Sequence, residues 1–377
     1  MRGNSDIDLD LLLVNISKSL RKITKRKAIT WLSIFIVFIS AISWLGFGIF
    51  SITVNQVDLS SGRKNRPVKS STAINYLIVG SDSREGLTTE QIQKLRVGSV
   101  ATAAGKRSDS MMLIHISKSR DAAYVISIPR DTYALIPEHK NSKGVTIPAA
   151  PEKINAAYNF GGASLLVQTI EEMTNLKIDH YLEINFVGFA NMVDAIGGIQ
   201  ICTKKALSDS KSHLELPAGT HILDGLTALA YVRSRELDGT GDLGRMKRQQ
   251  AFFGAVFRKA TSLGVLTNPV KLGTFLNSVL GSITTDSQLQ TNDLIDLAKQ
   301  MRNLAAGNVQ TLTVPLSDLN YSDGVITSAV LWDPDLSPEL WQMLKADQAI
   351  VSTDTATATT ANANKFKTQS VDIESCS

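Results

Sequence analysis

Cysteine is nearly absent from this chain of 377 residues: Cys202 sits in an apolar, strand-like run and Cys376 next to the C-terminus. Two cysteines cannot form a disulfide framework that replaces a hydrophobic core. They read as a buried thiol and a tail thiol, with a disulfide between them as the alternative. Histidine is also sparse, and the five present, at 115, 139, 180, 213 and 221, show no H-x-x-x-H or comparable ligand spacing. A zinc site is therefore not expected. Excess charge is missing too. The chain holds 39 Lys and Arg against 35 Asp and Glu, a net charge of +4. Residues 1–27 contain seven bases and three acids and so carry that whole excess, leaving the remaining 350 residues neutral. Such a body is not a general nucleic-acid binder, and no nucleic-acid partner is expected. No internal repeat is visible. The 43% hydrophobic content is ample for a core, in one large domain or two small ones.

Residues 28–54 are one apolar run without a charged side chain. It is long enough to span a bilayer, about twice the length of a signal-peptide core, and no A-x-A type cleavage site follows it. The expectation is a retained transmembrane anchor. The basic cluster Arg21, Lys22, Lys25, Arg26 and Lys27 places residues 1–27 in the cytoplasm and everything after residue 54 outside the cell membrane. Residues 55–72 are polar and aperiodic, as in a stalk. Residues 347–377 include a Thr/Ala/Asn-rich low-complexity run with too little apolar surface to fold alone. The folded domain is expected over 73–346.

Within that domain, arginine and aspartate recur in short groups: GSDSR at 80–84, KRSD at 106–109, IPRD at 128–131, YVRSR at 231–235 and GDLGRMKRQQ at 241–250. Guanidinium groups fork onto phosphate oxygens, and carboxylates hold the divalent cation that accompanies a polyphosphate. The runs 74–79, 111–116 and 122–128 read as short strands, the last two joined tightly enough to form an antiparallel hairpin. If the first two also pair antiparallel, Asp82, Arg84, Arg107, Asp109, Arg130 and Asp131 gather along one sheet edge. Each pair alone has a plainer reading as a surface ion pair or a turn residue. Their convergence is what favours a site.

Helical patterns follow at 164–176, 185–196, 225–232, 245–261 and 291–305, with further strands at 180–184, 198–203 and 309–314. The alternation predicts a three-layer α/β/α sandwich with a central mixed sheet, preceded by one N-terminal transmembrane helix. In the helix that opens at Arg245, positions 245, 249, 252 and 256 form one stripe of Arg, Gln, Phe and Val. The stripe grades from a cationic helix N-terminus, which suits phosphate, to an apolar stretch. Such a surface fits an amphiphile with a pyrophosphate head and a hydrocarbon tail. Periodicity alone equally allows Phe252 and Val256 to be ordinary core.

These motifs resemble the LytR-CpsA-Psr wall-polymer ligases over roughly residues 74–260, a span set by motif order. The matching segments include RSDSMML at 107–113, SIPRDTY at 127–133, KINAAYNFGG at 153–162, NFVGFANMVDAIGGI at 185–199 and LDGLTALAYVRSR at 223–235, besides the Arg/Asp groups. The resemblance implies a phosphotransferase that moves a glycopolymer from a polyprenyl-pyrophosphate carrier to a hydroxyl of peptidoglycan or another wall polymer. It implies that Asp82 and Asp109 hold Mg²⁺ (or Mn²⁺), and that Arg107, Arg130, Arg233, Arg235 and Arg245 clamp phosphate oxygens with Arg84, Lys153 and Gln249 in support. Asp131 and Asp242 would orient those arginines, and Phe186, Phe189, Val193, Phe252 and Val256 would line a prenyl tunnel. Ser110 stands where the family usually has Thr, which keeps a hydroxyl. Two rivals use the same arginines: an adaptor that binds lipid-linked polymer without turnover, and a polyprenyl-pyrophosphate hydrolase. The pair of carboxylates favours an enzyme, because a mere binder does not need both.

Overall fold

The structure is a computed structural model that describes residues 55–59, 63, 65–82, 90, 92–93, 108–235, 237, 241–262, 275, 283–290, 293, 297, 304, 308–350 and 366–370. The expected membrane anchor at 28–54 and most of the expected helix at 291–305 lie outside these residues. Among the described residues no helix is long and apolar enough to cross a membrane.

Eight strands form the central sheet: β1 (Asn55–Val57), β2 (Ile74–Ser81), β3 (Ser108–Ile116), β4 (Ala123–Ile128), β5 (His180–Ile184), β6 (Ile283–Asp286), β7 (Val309–Thr313) and β8 (Gln369–Ser370). Their order is β1-β6-β5-β2-β3-β4-β7-β8. The sheet is mixed, because β2–β3 and β3–β4 are antiparallel while β5 and β7 join it parallel. The register Ile74↔Ile116 and Met111↔Ile128 puts the end of β2, the start of β3 and the end of β4 on one edge, as the strand reading anticipates.

Alternation along the strands sends side chains to two faces. Leu77, Val79, Leu113, Ile126 and Ile128 pack on one side with Ile154, Leu166 and Ile170 of helix α1 (Ile154–Thr174). Tyr76, Ile114, Ile116 and Val125 pack on the other with Phe257. Each such fully buried side chain contributes about 1.5–3 kcal/mol. Helix α1 begins ten residues before the predicted start, at 154 and not 164. Gly161 and Gly162 interrupt it, the latter at φ 63, and this Gly-Gly pair hides the first segment from periodicity.

Three more helices build the flank that carries the site. Helix α2 (Phe186–Ala195) is capped by Asn185, which accepts from the Gly188 N–H at 2.8 Å. Helix α3 (Gly225–Arg233) is capped by Asp224, which accepts from the Thr227 N–H at 2.8 Å. Helix α4 (Gly241–Ser262) starts four residues before the predicted Arg245. The predicted strand at 198–203 forms as Ile199–Thr203, but it pairs with Gly219–Leu223 in a separate hairpin and not in the central sheet. The last described helix is α5 (Leu336–Lys345).

Three tertiary ties lie beyond sequence patterning. The segment read as a stalk contributes β1, and its Arg63 and Arg66 both reach Glu171 of α1, with N–O distances of 3.1 and 2.6 Å to a carboxylate that is fully buried. Within the tail, β8 pairs with β7. Cys202 is disulfide-bonded, which corrects the free-thiol reading. The other cysteine of the chain, Cys376, is outside the described residues.

Buried His115 bonds Asn75 Oδ1 through Nδ1 at 2.7 Å and Asp347 Oδ1 through Nε2 at 3.2 Å. Burial lowers its pKa from the usual 6.5, and the contact with Asp347 only partly opposes this. The unfolded chain therefore takes up a proton at a pH where the folded chain does not. His115 stabilises the fold fully above about pH 6.5, and that contribution falls as the pH drops below it. Urea titrations at several pH values are expected to show this acid-side loss, and His115→Gln to flatten it. An unchanged pH profile in the variant would contradict the assignment.

Candidate active site

The sheet edge supplies the first part. Ser81 pairs with Ser108 after a register shift at Gly80, so Asp109 is the extra residue of a bulge opposite the point where β2 leaves toward Asp82. The Asp109 side chain lies outside the described set, as do Arg84 and Arg107. Asp82 is half-buried. A Cβ at Gly80 would lie 2.3 Å from Ser110 Oγ, so that hydroxyl would have to rotate away. Gly80→Ala is expected to destabilise the protein by about 0.5–1.5 kcal/mol, the cost of moving the Ser110 hydroxyl off its rotamer, with Ser110→Ala restoring much of the loss. Urea unfolding of the single and double variants measures this, and additive losses would contradict it.

At the end of β4, Asp131 lies between two cations, 3.5 Å from Arg130 Nε and 3.6 Å from Lys153 Nζ. The turn is fixed by backbone bonds. Ile154 N–H donates to Thr132 O at 2.8 Å, Asn155 N–H to Arg130 O at 3.2 Å and Val330 N–H to Asp131 O at 2.8 Å. The motif at 128–131 thus meets Lys153 at the head of α1.

Helices α3 and α4 supply the second part. Arg245 is 3% exposed, and its Nη2 donates to both carboxylate oxygens of Asp242, at 2.7 and 2.9 Å. Arg235 Nε is 3.7 Å from the same carboxylate. Asp242 therefore positions two arginines. The Arg233 guanidinium stacks 4.8 Å above the Phe186 ring. Gln249 donates to Val232 O at 3.2 Å, and buried Arg248 to Ser234 O at 2.7 Å, tying α4 to the end of α3. Arg233, Arg235, Arg245 and Gln249 line a polar cavity of about 180 Å³ together with Asp209, Lys211 and Ser212. Sequence reasoning misses Asp209. Its carboxylate accepts from the N–H groups of Lys211, Ser212 and Arg235 at 2.9, 3.0 and 2.7 Å and so anchors the arginine loop. The only local signal was an Asp among Ser and Lys, which is indistinguishable from a surface turn.

A second, apolar cavity of about 240 Å³ adjoins it. Phe186, Phe189, Phe252 and Val256 line it, with Leu229, Met192 and Phe253. Its wall also includes Gly80, Ser81 and Ser110 of the sheet edge and, on the other side, Val232, Arg233 and Gln249, which it shares with the polar cavity. The stripe 245–249–252–256 thus runs from one cavity into the other. Val193 is not part of this wall: it is fully buried, packed in a core with Phe186, Ile199 and Leu229. Among the described residues no group of three or more His, Cys, Asp or Glu is placed to enclose a metal.

The arrangement can hold a molecule with a polyanionic head among arginines and a hydrocarbon portion among phenylalanines. Residues 51–338 match the family described as LytR_cpsA_psr. A probable cell wall biosynthesis protein, LcpB of Corynebacterium glutamicum, is 36% identical over 280 residues, covering 74% of this chain and 62% of that protein. The chain thus spans less than two thirds of that relative. A polyisoprenyl-teichoic acid–peptidoglycan teichoic acid transferase, TagU of Bacillus mycoides, is 29% identical over 303 residues, covering 80% of this chain and 91% of that protein. Among solved structures, a LytR-Csp2A-Psr enzyme from Actinomyces oris aligns with a TM-score of 0.57 at 24% identity, over 78% of this chain and 96% of its own. TagT bound to LIIa-WTA aligns with a TM-score of 0.56 at 24% identity, over 78% and 99%. These structural likenesses show the fold.

Proposed function

This chain belongs to the LytR_cpsA_psr family, and from that premise we propose that it transfers a glycopolymer from a polyprenyl-pyrophosphate carrier to a hydroxyl of the cell wall, on peptidoglycan or a glycan attached to it. The observation that carries the reading is the pair of adjoining cavities with Arg233 and Gln249 in both walls. A pyrophosphate fits among Arg233, Arg235 and Arg245, and the first prenyl units fit against Phe186, Phe189, Phe252 and Val256. The names and substrates of the relatives point the same way.

In the reaction, the acceptor oxygen attacks the phosphorus that bears the glycan. The bond from that phosphorus to the bridging oxygen breaks, its electron pair leaves with polyprenyl phosphate, and the hydroxyl proton passes to a carboxylate of the site. Positioning and charge neutralisation provide most of the acceleration in such a transfer. Asp242 holds Arg245 and Arg235 in place for this, and Asp131 does the same for Arg130 and Lys153. Asp82 and Asp109 suit Mg²⁺, which takes one or two carboxylates and completes its shell with substrate phosphate oxygens and water. When bound it would neutralise charge on the pyrophosphate. A membrane-anchored protein with its catalytic domain outside the cell would meet both lipid donor and wall acceptor.

A direct test is the lipid that accompanies the full chain through purification in detergent. Mass spectrometry of the extract is expected to show a polyprenyl phosphate or pyrophosphate, and Phe252→Asp to abolish its retention. Phospholipid alone, in equal amount in the variant, would contradict the cavity assignment.

A further inference from the structure

Helix α4 has a second stripe that the donor site does not use. Leu243, Lys247 and Gln250, spaced by four and three residues, line a different cavity of about 530 Å³, within the range of about 300–1,000 Å³ usual for small-ligand sites. Its far wall is the end of β7 and the chain after it, Thr311 to Leu316, with Asp333, Lys367 and Gln369.

The floor is polar and fixed. Gln250 is 5% exposed, and its amide nitrogen donates to Ser127 Oγ at 2.9 Å and Thr313 Oγ1 at 3.2 Å. Those bonds tie the Gln250 amide to β4 and β7 at the base of the cavity. A purely structural packing position between a helix and two strands would be filled by apolar side chains at lower cost, since burying amides and hydroxyls requires each to be bonded. Around this floor stand exposed Lys247 and Lys367. Apolar surface from Leu243, Val314, Pro315 and Leu336 completes the wall. Hydroxyl-matching groups, an apolar platform and two lysines with one carboxylate, Asp333, between them suit a saccharide that carries both hydroxyl and acidic groups.

The cavity shares no wall residue with the other two, but its wall reaches the chain next to the Arg130–Asp131 turn. Ser127 stands three residues before Arg130 on the same strand end. Asp333 closes the strand whose Val330 N–H donates to Asp131 O at 2.8 Å, and Trp332 Nε1 donates to Thr132 Oγ1 at 3.2 Å. Leu243 and Lys247 flank Arg245 on α4. One helix therefore has the lipid-facing stripe on one side and this cavity on another.

We propose that this cavity binds the acceptor, the wall saccharide whose hydroxyl attacks the donor, an assignment that rests on the transferase reading above. The test uses the full chain in detergent with lipid-free peptidoglycan fragments as the probe. Hydrogen exchange is expected to slow at residues 243–250 and 311–316 when fragments are added, without any donor present. In the transfer assay, Lys247→Ala/Lys367→Ala, two exposed positions, is expected to raise the fragment KM about tenfold while the donor KM and the co-purified lipid stay unchanged. Thr313→Val, which removes one floor hydroxyl at constant volume, is expected to act in the same direction. Protection confined to another region, or an unchanged fragment KM in both variants, would overturn the proposal. If the wild type binds fragments here but transfers nothing, the saccharide site stands and the transferase reading fails.

Discussion

Asp82→Asn is expected to lower glycopolymer transfer by about 10²–10³-fold, the loss typical of removing one preorganised electrostatic group from a transition state. The substitution keeps the shape of the side chain where β2 leaves the sheet and removes only the charge. If Asp82 holds Mg²⁺, the variant should require more of the cation, so raising its concentration recovers part of the rate. Rate against Mg²⁺ concentration, measured for both proteins, separates the metal role from a positional one. An equal loss at every Mg²⁺ concentration would remove Asp82 from the metal site, and full activity would remove it from the reaction.

Arg245→Ala is expected to cost a similar factor, about 10²–10³ in kcat, for a different reason. This guanidinium is almost wholly buried, fixed by two bonds to Asp242, and lines the polar cavity. Its geometry is set before substrate arrives, so no reorganisation is needed as charge builds on the leaving phosphate. Asp242 is about a third exposed and can rehydrate when its partner is removed, so the variant should stay folded. Arg245→Lys retains the charge without the planar fork and is expected to fall between wild type and alanine. Steady-state kinetics with urea unfolding in parallel checks both points. Wild-type kcat in the alanine variant would exclude Arg245 from the phosphate clamp.

How much of this was legible depends on the range of the interaction concerned. The edge formed by β2, β3 and β4 follows from alternation and a short hairpin, both local signals, and the strand register puts the chain at Asp82, Asp109, Arg130 and Asp131 along it. The graded stripe of α4 is likewise a local periodicity, and both sequence readings of its apolar end hold: Phe252 lies in the core cluster with Val193 and Val256 packs against it, while both also line a cavity wall that Val193 does not reach. The first segment of α1 was hidden because Gly161 and Gly162 break the pattern inside one continuous element. Asp209, Gln250 and Glu171 were not legible at all. Their partners lie 26, 123 and 108 positions away in Arg235, Ser127 and Arg63, so nothing in the neighbouring sequence distinguishes them from exposed polar residues.

The most direct measurement is transfer itself. The full chain in detergent is given Mg²⁺, a polyprenyl-pyrophosphate glycan labelled in the glycan, and lipid-free wall fragments. The expected result is label joined to the fragments through a phosphodiester, with one polyprenyl phosphate released per bond formed. Tight donor binding with no joined product would contradict this account in favour of an adaptor, and label released only as free glycan phosphate would contradict it in favour of a hydrolase.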